Sequence, residues 1–243
     1  MSKNGKRVGA VVLASAAVLG ASGAIAGAST PSATPQTLAG IQAKAAAAVT
    51  LRVNDLNAAI SKVNSDTRLG SDGAALTAYL QADIAPLGAL GQKIAADTTQ
   101  SEAAADYATI FTNFRVLALV LPAAHIAGAT DEMDSTTIPK LTALSARAAS
   151  RVNSSNASVL QPLINDLNVQ ISDASNATSG VATTVLGYTP TQWNANHDLL
   201  APGRASVGAA QGNAAKARAD LKQIAADLKP MGSTPTSTTT TAP

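Results

Sequence analysis

The chain has 243 residues, 46% of them hydrophobic but only 2% aromatic, with 17 Lys+Arg, 15 Asp+Glu and no cysteine. Without thiols, disulfides and thiolate zinc sites are excluded. Three basic residues and no acidic one precede Ala28, so the remainder carries 14 basic against 15 acidic side chains. No basic cluster is left to neutralise a run of phosphates, which excludes nucleic acid as a partner.

Lys3, Lys6 and Arg7 form a charged n-region, residues 8–23 an apolar stretch of small side chains, and Ala26-Gly27-Ala28 a small-x-small cleavage pattern. Residues 1–28 therefore read as a secretory signal peptide, with a retained single-span anchor as the alternative. Residues 29–36 (STPSATPQ) read as a short disordered lead-in, 37–229 as a helical domain, and 230–243 as a disordered Thr/Pro-rich tail. Such a tail buries too little apolar surface to offset its ordering entropy.

Within 37–229 the period is helical throughout. Val49, Val53, Leu56, Ile60 and Val63 step 4-3-4-3, a heptad seam, and place a first helix over 37–65. The loop Leu69-Gly70-Ser71-Asp72-Gly73 leads, with Asp72 as N-cap, into a second helix carrying Leu76 to Ile94 and kinked at Pro86. Thr99-Gln100-Ser101-Glu102 has capping-box form and opens a third. This one carries Tyr107, Ile110, Phe111, Phe114, Leu117 and Leu121, and is bent at Pro122. The polar run 130–137 reads as a solvated connection, after which Pro139 suits the first turn of a fourth helix. Ser158-Val159-Leu160-Gln161 is a second capping box. It opens a fifth helix with the seam Leu160, Ile164, Leu167, Ile171, Ala174, Thr178, Val181, Val185. Thr189-Pro190-Thr191-Gln192 caps a short turn, and a sixth helix runs over 199–228, its small central residues admitting a close neighbour.

These elements predict an all-α fold: an elongated antiparallel bundle of about six helices with coiled-coil-like packing. Ser61-Lys62-Val63-Asn64 and Ser150-Arg151-Val152-Asn153 each close a helix, which suggests a duplicated three-helix unit; coincidence in an Ala/Ser-rich chain is the alternative.

The most apolar run after the N-terminal stretch lies over 114–131. Its uninterrupted part, 116–124, is bracketed by Arg115 and His125 and is short of the roughly 20 residues a span requires. It predicts a central buried helix and no transmembrane segment in the mature chain. A kink at Pro122 could leave an apolar pocket lined by Phe111, Phe114, Leu117, Leu121 and Pro122, though stripes at helical spacing are usually core. Arg115 is expected to pair with a carboxylate, Asp106 being a candidate, or to reach solvent. Together with 185–205 (VLGYTPTQWNANHDLLAPGRA), the segment 106–131 resembles secreted all-helical proteins of actinobacteria that carry no assigned function. That resemblance implies a localisation and a fold class, and no site residues.

Chemistry finds little to stand on. His125 and His197 are the only histidines, and neither has a His or Glu at i+3 or i+4, so no histidine metal motif exists. The acidic run Asp131-Glu132-Met133-Asp134 lacks the spacing and glycine of a calcium loop and reads as solvated. There is no G-x-S-x-G elbow and no phosphate loop. The polar, aromatic-bearing connection 188–198 is the first candidate for a binding loop, through Tyr188, Trp193, Asn196 and His197. Its alternative role is to fold over and seal the end of the bundle. Three sequons, at Asn153, Asn156 and Asn176, matter only in a host that glycosylates. The sequence thus predicts an exported, non-enzymatic structural or interaction module of the cell envelope or medium, without cofactor, meeting an unknown protein or envelope component, or itself. A carrier of an apolar, lipid-like ligand beside Pro122 is the alternative.

Overall fold

The computed structural model describes residues 37–70 and 72–228. The signal-peptide, lead-in and tail assignments lie outside them. The described residues are helical, with no strand among them. In chain order they form α1 (Leu38–Ser65), a 3₁₀ turn (Thr67–Leu69), α2 (Asp72–Gln81), α3 (Ile84–Ala96), α4 (Gln100–Thr112), a π turn (Val116–Val120) and α5 (Leu121–Glu132). A second π turn (Met133–Thr137), α6 (Ile138–Ala149), α7 (Ala157–Thr178), α8 (Val181–Leu186), α9 (Pro190–Ala195) and α10 (Ala201–Leu228) follow.

Local chemistry explains most boundaries. Thr37 caps α1 by accepting the Gly40 N–H at 3.1 Å. Both Thr99–Glu102 and Thr189–Gln192 close full capping boxes, each satisfying two otherwise orphan donors. The predicted box at Ser158–Gln161 does not form. Helix α7 starts two residues earlier, behind Asn156 as N-cap, whose side chain folds back to accept from the Asn153 N–H and to donate to the Arg151 carbonyl. Pro86 breaks the predicted second helix and does not merely bend it: Ala82 and Asp83 leave the helix, and Pro86 falls in the first turn of α3, where its missing N–H costs nothing. Gly180, at φ +71°, similarly divides the predicted fifth helix into α7 and α8, a conformation that favours glycine. The repeated Ser-Lys/Arg-Val-Asn segments differ in place. The first lies inside the last turn of α1, and the second follows the end of α6.

The largest departure is in the middle. The predicted third helix ends at Thr112, and residues 113–115 separate it from a helical rod that runs unbroken over 116–149. Pro122 and Pro139 both lie inside that rod, each two residues beyond a π turn. Immediately before each proline, the Leu121 N–H bonds the Val116 carbonyl and the Ile138 N–H bonds the Met133 carbonyl. Proline in a helix removes a bond and crowds the carbonyl four residues back. The wider i→i−5 turn gives the ring room, so the rod continues past both prolines. The polar run 130–137, predicted as a solvated connection, is helical for the same reason and because its side chains find partners. Thr130 donates to the Ile126 carbonyl at 2.9 Å, and Ser135 lies 2.6 Å from the Asp131 carbonyl and 2.8 Å from that of Arg68.

Three apolar clusters hold these helices together. One joins α1 to α2, α3, α4 and the first π turn through Leu56, Leu80, Leu87, Ile94, Ile110 and Val116. A second joins α2, α5, α8 and α10 through Leu76, Leu119, Ile126, Val185, Leu200 and Val207. The third packs α6, α7 and α10, with Leu160, Ile164 and Leu167 set against Ala210, Ala214 and Ala217. In the window of 100–149 that is apolar enough by length and composition to cross a membrane, 44% is buried against these clusters.

Glycine at 203 brings α10 close to α5 and α8. A Cβ there would stand 2.8 Å from Val185 Cγ1 and 3.3 Å from Ile126 Cγ2. Replacing a helical glycine gains up to about 1 kcal/mol in propensity, but overpacking costs about 1–3 kcal/mol, so the clash wins. Gly203→Ala lowers the midpoint of urea unfolding, and adding Val185→Ala recovers part of the loss. Equal destabilisation by the double and the single variant would refute the assigned contact.

Candidate functional site

An open cleft of about 540 Å³ lies between α2, the join of α5 with the second π turn, and α8. Asp72 and Tyr79 come from α2, Thr130 and Asp131 from the end of α5, Asp134 from the π turn, and Thr178 from the end of α7. Because the rod does not break at 130–137, Asp131 and Asp134 stand one turn apart on one face, as residues at i and i+3 must. Gly180 turns the chain so that α8 forms the opposite wall, with Ala182 and Leu186.

Asp131 is the floor of this cleft and only 5% exposed. Burial pushes its carboxyl up to about 7, helped by the like charges of Asp72 and Asp134 and by a hydrogen bond shared with Asp72. A carboxyl in such a place keeps its proton far above the usual range. Asp134 is held by Thr178, whose Oγ1 lies 2.5 Å from Oδ1, a separation typical of hydroxyl to carboxylate. Burial and the charge of Asp83 push the Tyr79 phenol up to about 12, so it stays neutral.

A cation on the turn packed against α5 is already engaged. Arg68 clasps Asp66 through Nε at 2.8 Å and Nη2 at 2.6 Å, and its Nη1 reaches Glu132 at 2.9 Å. Hydrogen bonds from that guanidinium hold the Asp66 carboxyl down to about 2. Among the described residues no three His, Asp or Glu side chains come close enough together to hold a metal. What the arrangement offers is a recessed carboxyl that exchanges a proton near neutrality, with two further carboxylates above it.

The binding-loop residues lie elsewhere. Tyr188 and Trp193 are half-buried against the α2–α5–α8–α10 cluster, while Asn196 and His197 are exposed, with the His197 ring 5.7 Å from that of Trp193. Of the apolar-pocket residues, Phe114, Leu121 and Pro122 are half-buried, but Leu117 is 53% exposed and Phe111 37%. Phe111 meets Tyr107 edge-on at 5.1 Å and carries the Arg52 guanidinium 4.6 Å over its ring. Neither this cleft nor the smaller one beside Pro202 is lined by these five residues.

The structure nevertheless draws the two predicted sets together. Arg115 Nε donates to Asn194 Oδ1 at 2.7 Å, and Asn194 Nδ2 donates to the Thr112 carbonyl at 3.0 Å. That satisfies one of the orphan carbonyls at the end of α4 and pins α9 beside the start of the rod. Asp106, considered as a partner for Arg115, instead takes Lys93 at 2.8 Å. His125, the other histidine, is on the surface.

Two signals for the cleft were present in the sequence. Thr178 is the one hydroxyl in the α7 seam, and Asp131 sits at helical spacing from the apolar residues Ala127 and Ala123. Compared with known proteins, the chain matches no family model, no curated protein and no solved structure.

Proposed function

We propose that the chain is an exported, non-enzymatic helical interaction module acting at the cell envelope or in the surrounding medium, as the resemblance to secreted actinobacterial proteins implies. Its helices make an elongated antiparallel bundle with coiled-coil-like seams, built from two related three-helix units, and the apolar stretch at 114–131 is core and not a span. The observation that carries the reading is the Arg115–Asn194–Thr112 bridge. It ties α9 to Arg115, two residues before Leu117, a large apolar side chain left 53% exposed, and a pinned corner near an exposed apolar anchor suits docking.

The test is co-sedimentation of residues 29–243 with isolated cell-wall sacculi and, separately, with lipid vesicles. The protein pellets with sacculi, and Leu117→Asp weakens retention about tenfold, as expected for losing one buried leucine, without changing the circular dichroism. Retention by vesicles alone, with thermal stabilisation by lipid that Leu121→Trp abolishes, would replace this reading by the carrier beside Pro122. Absence of retention on both overturns the envelope assignment.

A further inference from the structure

We propose that the exposed face shared by α6 and α10 is a docking surface for an anionic lipid bilayer, with Lys140, Arg147, Arg218 and Lys222 meeting lipid phosphates and Leu144 entering between them. It goes beyond the envelope reading and rests on it only for where such a bilayer is met. After Ala28 the charges nearly balance, at 14 basic against 15 acidic side chains, but the fold does not spread them evenly. Helix α6 carries no acidic residue, and α10 carries Asp220 and Asp227 alone.

Packing assigns the sides of the two helices. Helix α6 packs on both α7 and α10. Its Ser145 hydroxyl donates to Asn168 of α7 at 2.6 Å, so the buried Ala148, on the other side of Leu141, faces α10. At 3.6 residues per turn, Leu144, Lys140 and Arg147 follow on that flank, in order away from α7. On α10, Asp220 lies on the side of α7, where Asp166 stands near it. Buried Ala217, Ala214 and Val207 come next around the helix, and then Arg218 and Lys222 on the flank toward α6. The two flanks adjoin. All four cations are exposed, and Leu144, one turn from both Lys140 and Arg147, is 43% exposed.

Among the described residues nothing answers these charges. The ion pairs there use Arg68 and Lys93, and Asp227, on the far flank, takes its hydrogen bonds from Gln223. Neither open cleft is lined by α6, so the face suits a broad surface and not a small enclosed anion. Clustered Lys and Arg draw a protein to acidic headgroups, each strengthening binding about fivefold. A purely charged polymer would leave Leu144 in water, whereas a bilayer interface buries it among the basic stems. That favours lipid. In sequence the four cations are spread over 140–222, and folding gathers them.

Co-sedimentation of residues 29–243 with phosphatidylcholine vesicles, with and without about one quarter phosphatidylglycerol, tests this. Retention is expected only on the acidic vesicles at about 0.1 M salt, and is lost at about 1 M, where screening shortens from about 10 to about 3 Å. Arg218→Gln with Lys222→Gln lowers it about 25-fold, and Leu144→Gln about tenfold, with circular dichroism unchanged. Lys44→Gln with Lys62→Gln, at exposed positions of α1, changes net charge equally and leaves retention as it was. Equal retention on neutral vesicles, a loss as large in the α1 pair, or no retention on acidic vesicles overturns the proposal. So does loss of sacculus binding without loss of vesicle binding in the Arg218→Gln, Lys222→Gln variant, which assigns the face to an anionic wall polymer. Vesicle binding lost in Leu121→Trp or in Leu117→Asp overturns it too, in favour of the lipid cavity or the α9 corner. Sacculus retention of Leu117→Asp is read separately, so the two readings fail independently.

Discussion

Ala214→Leu lowers the melting temperature by about 5 °C, while Ala215→Leu, one residue further on, leaves it within about 1 °C. Both substitutions trade one strong helix former for another, so propensity cannot separate them. Packing can. Ala214 is fully buried where α10 meets α7, with Ala210 and Ala217 a turn to either side and Leu160, Ile164, Leu167 and Ile171 opposite. Ala215 points to solvent. A chain with so few aromatic residues gains its burial by letting helices approach closely over alanine. A leucine inserted there adds three carbons to filled space and forces the helices apart, at a cost of about 1–3 kcal/mol. At about 2–4 °C per kcal/mol for a domain of this size, thermal melts resolve the difference. Equal shifts in the two variants would show that the α7–α10 contact is not set by its small side chains.

That seam was readable because its period and its residue sizes agree. The 3-4 spacing from Gly203 to Ile224 names the buried face of α10, and six of its residues are buried in the fold. Capping boxes were readable at Thr99 and Thr189, because the two side chains that close them are local. The π turns were not. A proline in an apolar periodic run signals a kink, a break or a first turn, and Pro86, Pro122 and Pro139 carry much the same local signal with different outcomes. Pro86 starts a helix, whereas Pro122 and Pro139 are absorbed by wide turns. What decides is tertiary: the residues around 122 and 139 are packed against α2, α8 and α7, and breaking the rod there would uncover them. The cleft was hidden for a related reason. Composition marks Asp131 only as one of three acidic residues in the polar run 130–137, and only the unbroken rod reveals that it faces inward while Glu132 turns to Arg68. The α9 corner was half legible: its aromatic content singled it out, but its attachment through Arg115 depends on residues 79 positions apart in sequence.

Asp131→Asn is expected to be more stable than the parent chain at pH 8, by about 2 kcal/mol, and indistinguishable from it at pH 4. The folded state raises the proton affinity of Asp131 from 3.8 to about 7, so the native protein binds this proton more tightly than the unfolded one. The stabilisation that follows is complete below the unfolded value, near pH 4, and is lost as pH climbs through 7. Each tenfold gain in proton affinity is worth about 1.4 kcal/mol; water in the open cleft screens the charge and brings the net effect to about 2 kcal/mol. Asparagine has nearly the shape of the protonated acid and its amide can donate to Asp72, so the variant keeps the contact and drops the dependence. Asp66 contributes in the opposite sense, its carboxyl being held down to about 2. Its stabilisation is present above about pH 4 and disappears only as pH falls through 2, outside the interval compared. Asp83, Asp97 and Asp220 are also raised by burial, yet they are common to both chains and cancel in the difference. Urea unfolding at half-unit intervals from pH 4 to 8 measures that difference directly. A gap that opens between about pH 4 and 7 and stays level above 7 places the titrating group at Asp131, and parallel curves would mean that the cleft floor stays charged and is solvated in a way the packing of α2 against α5 does not allow.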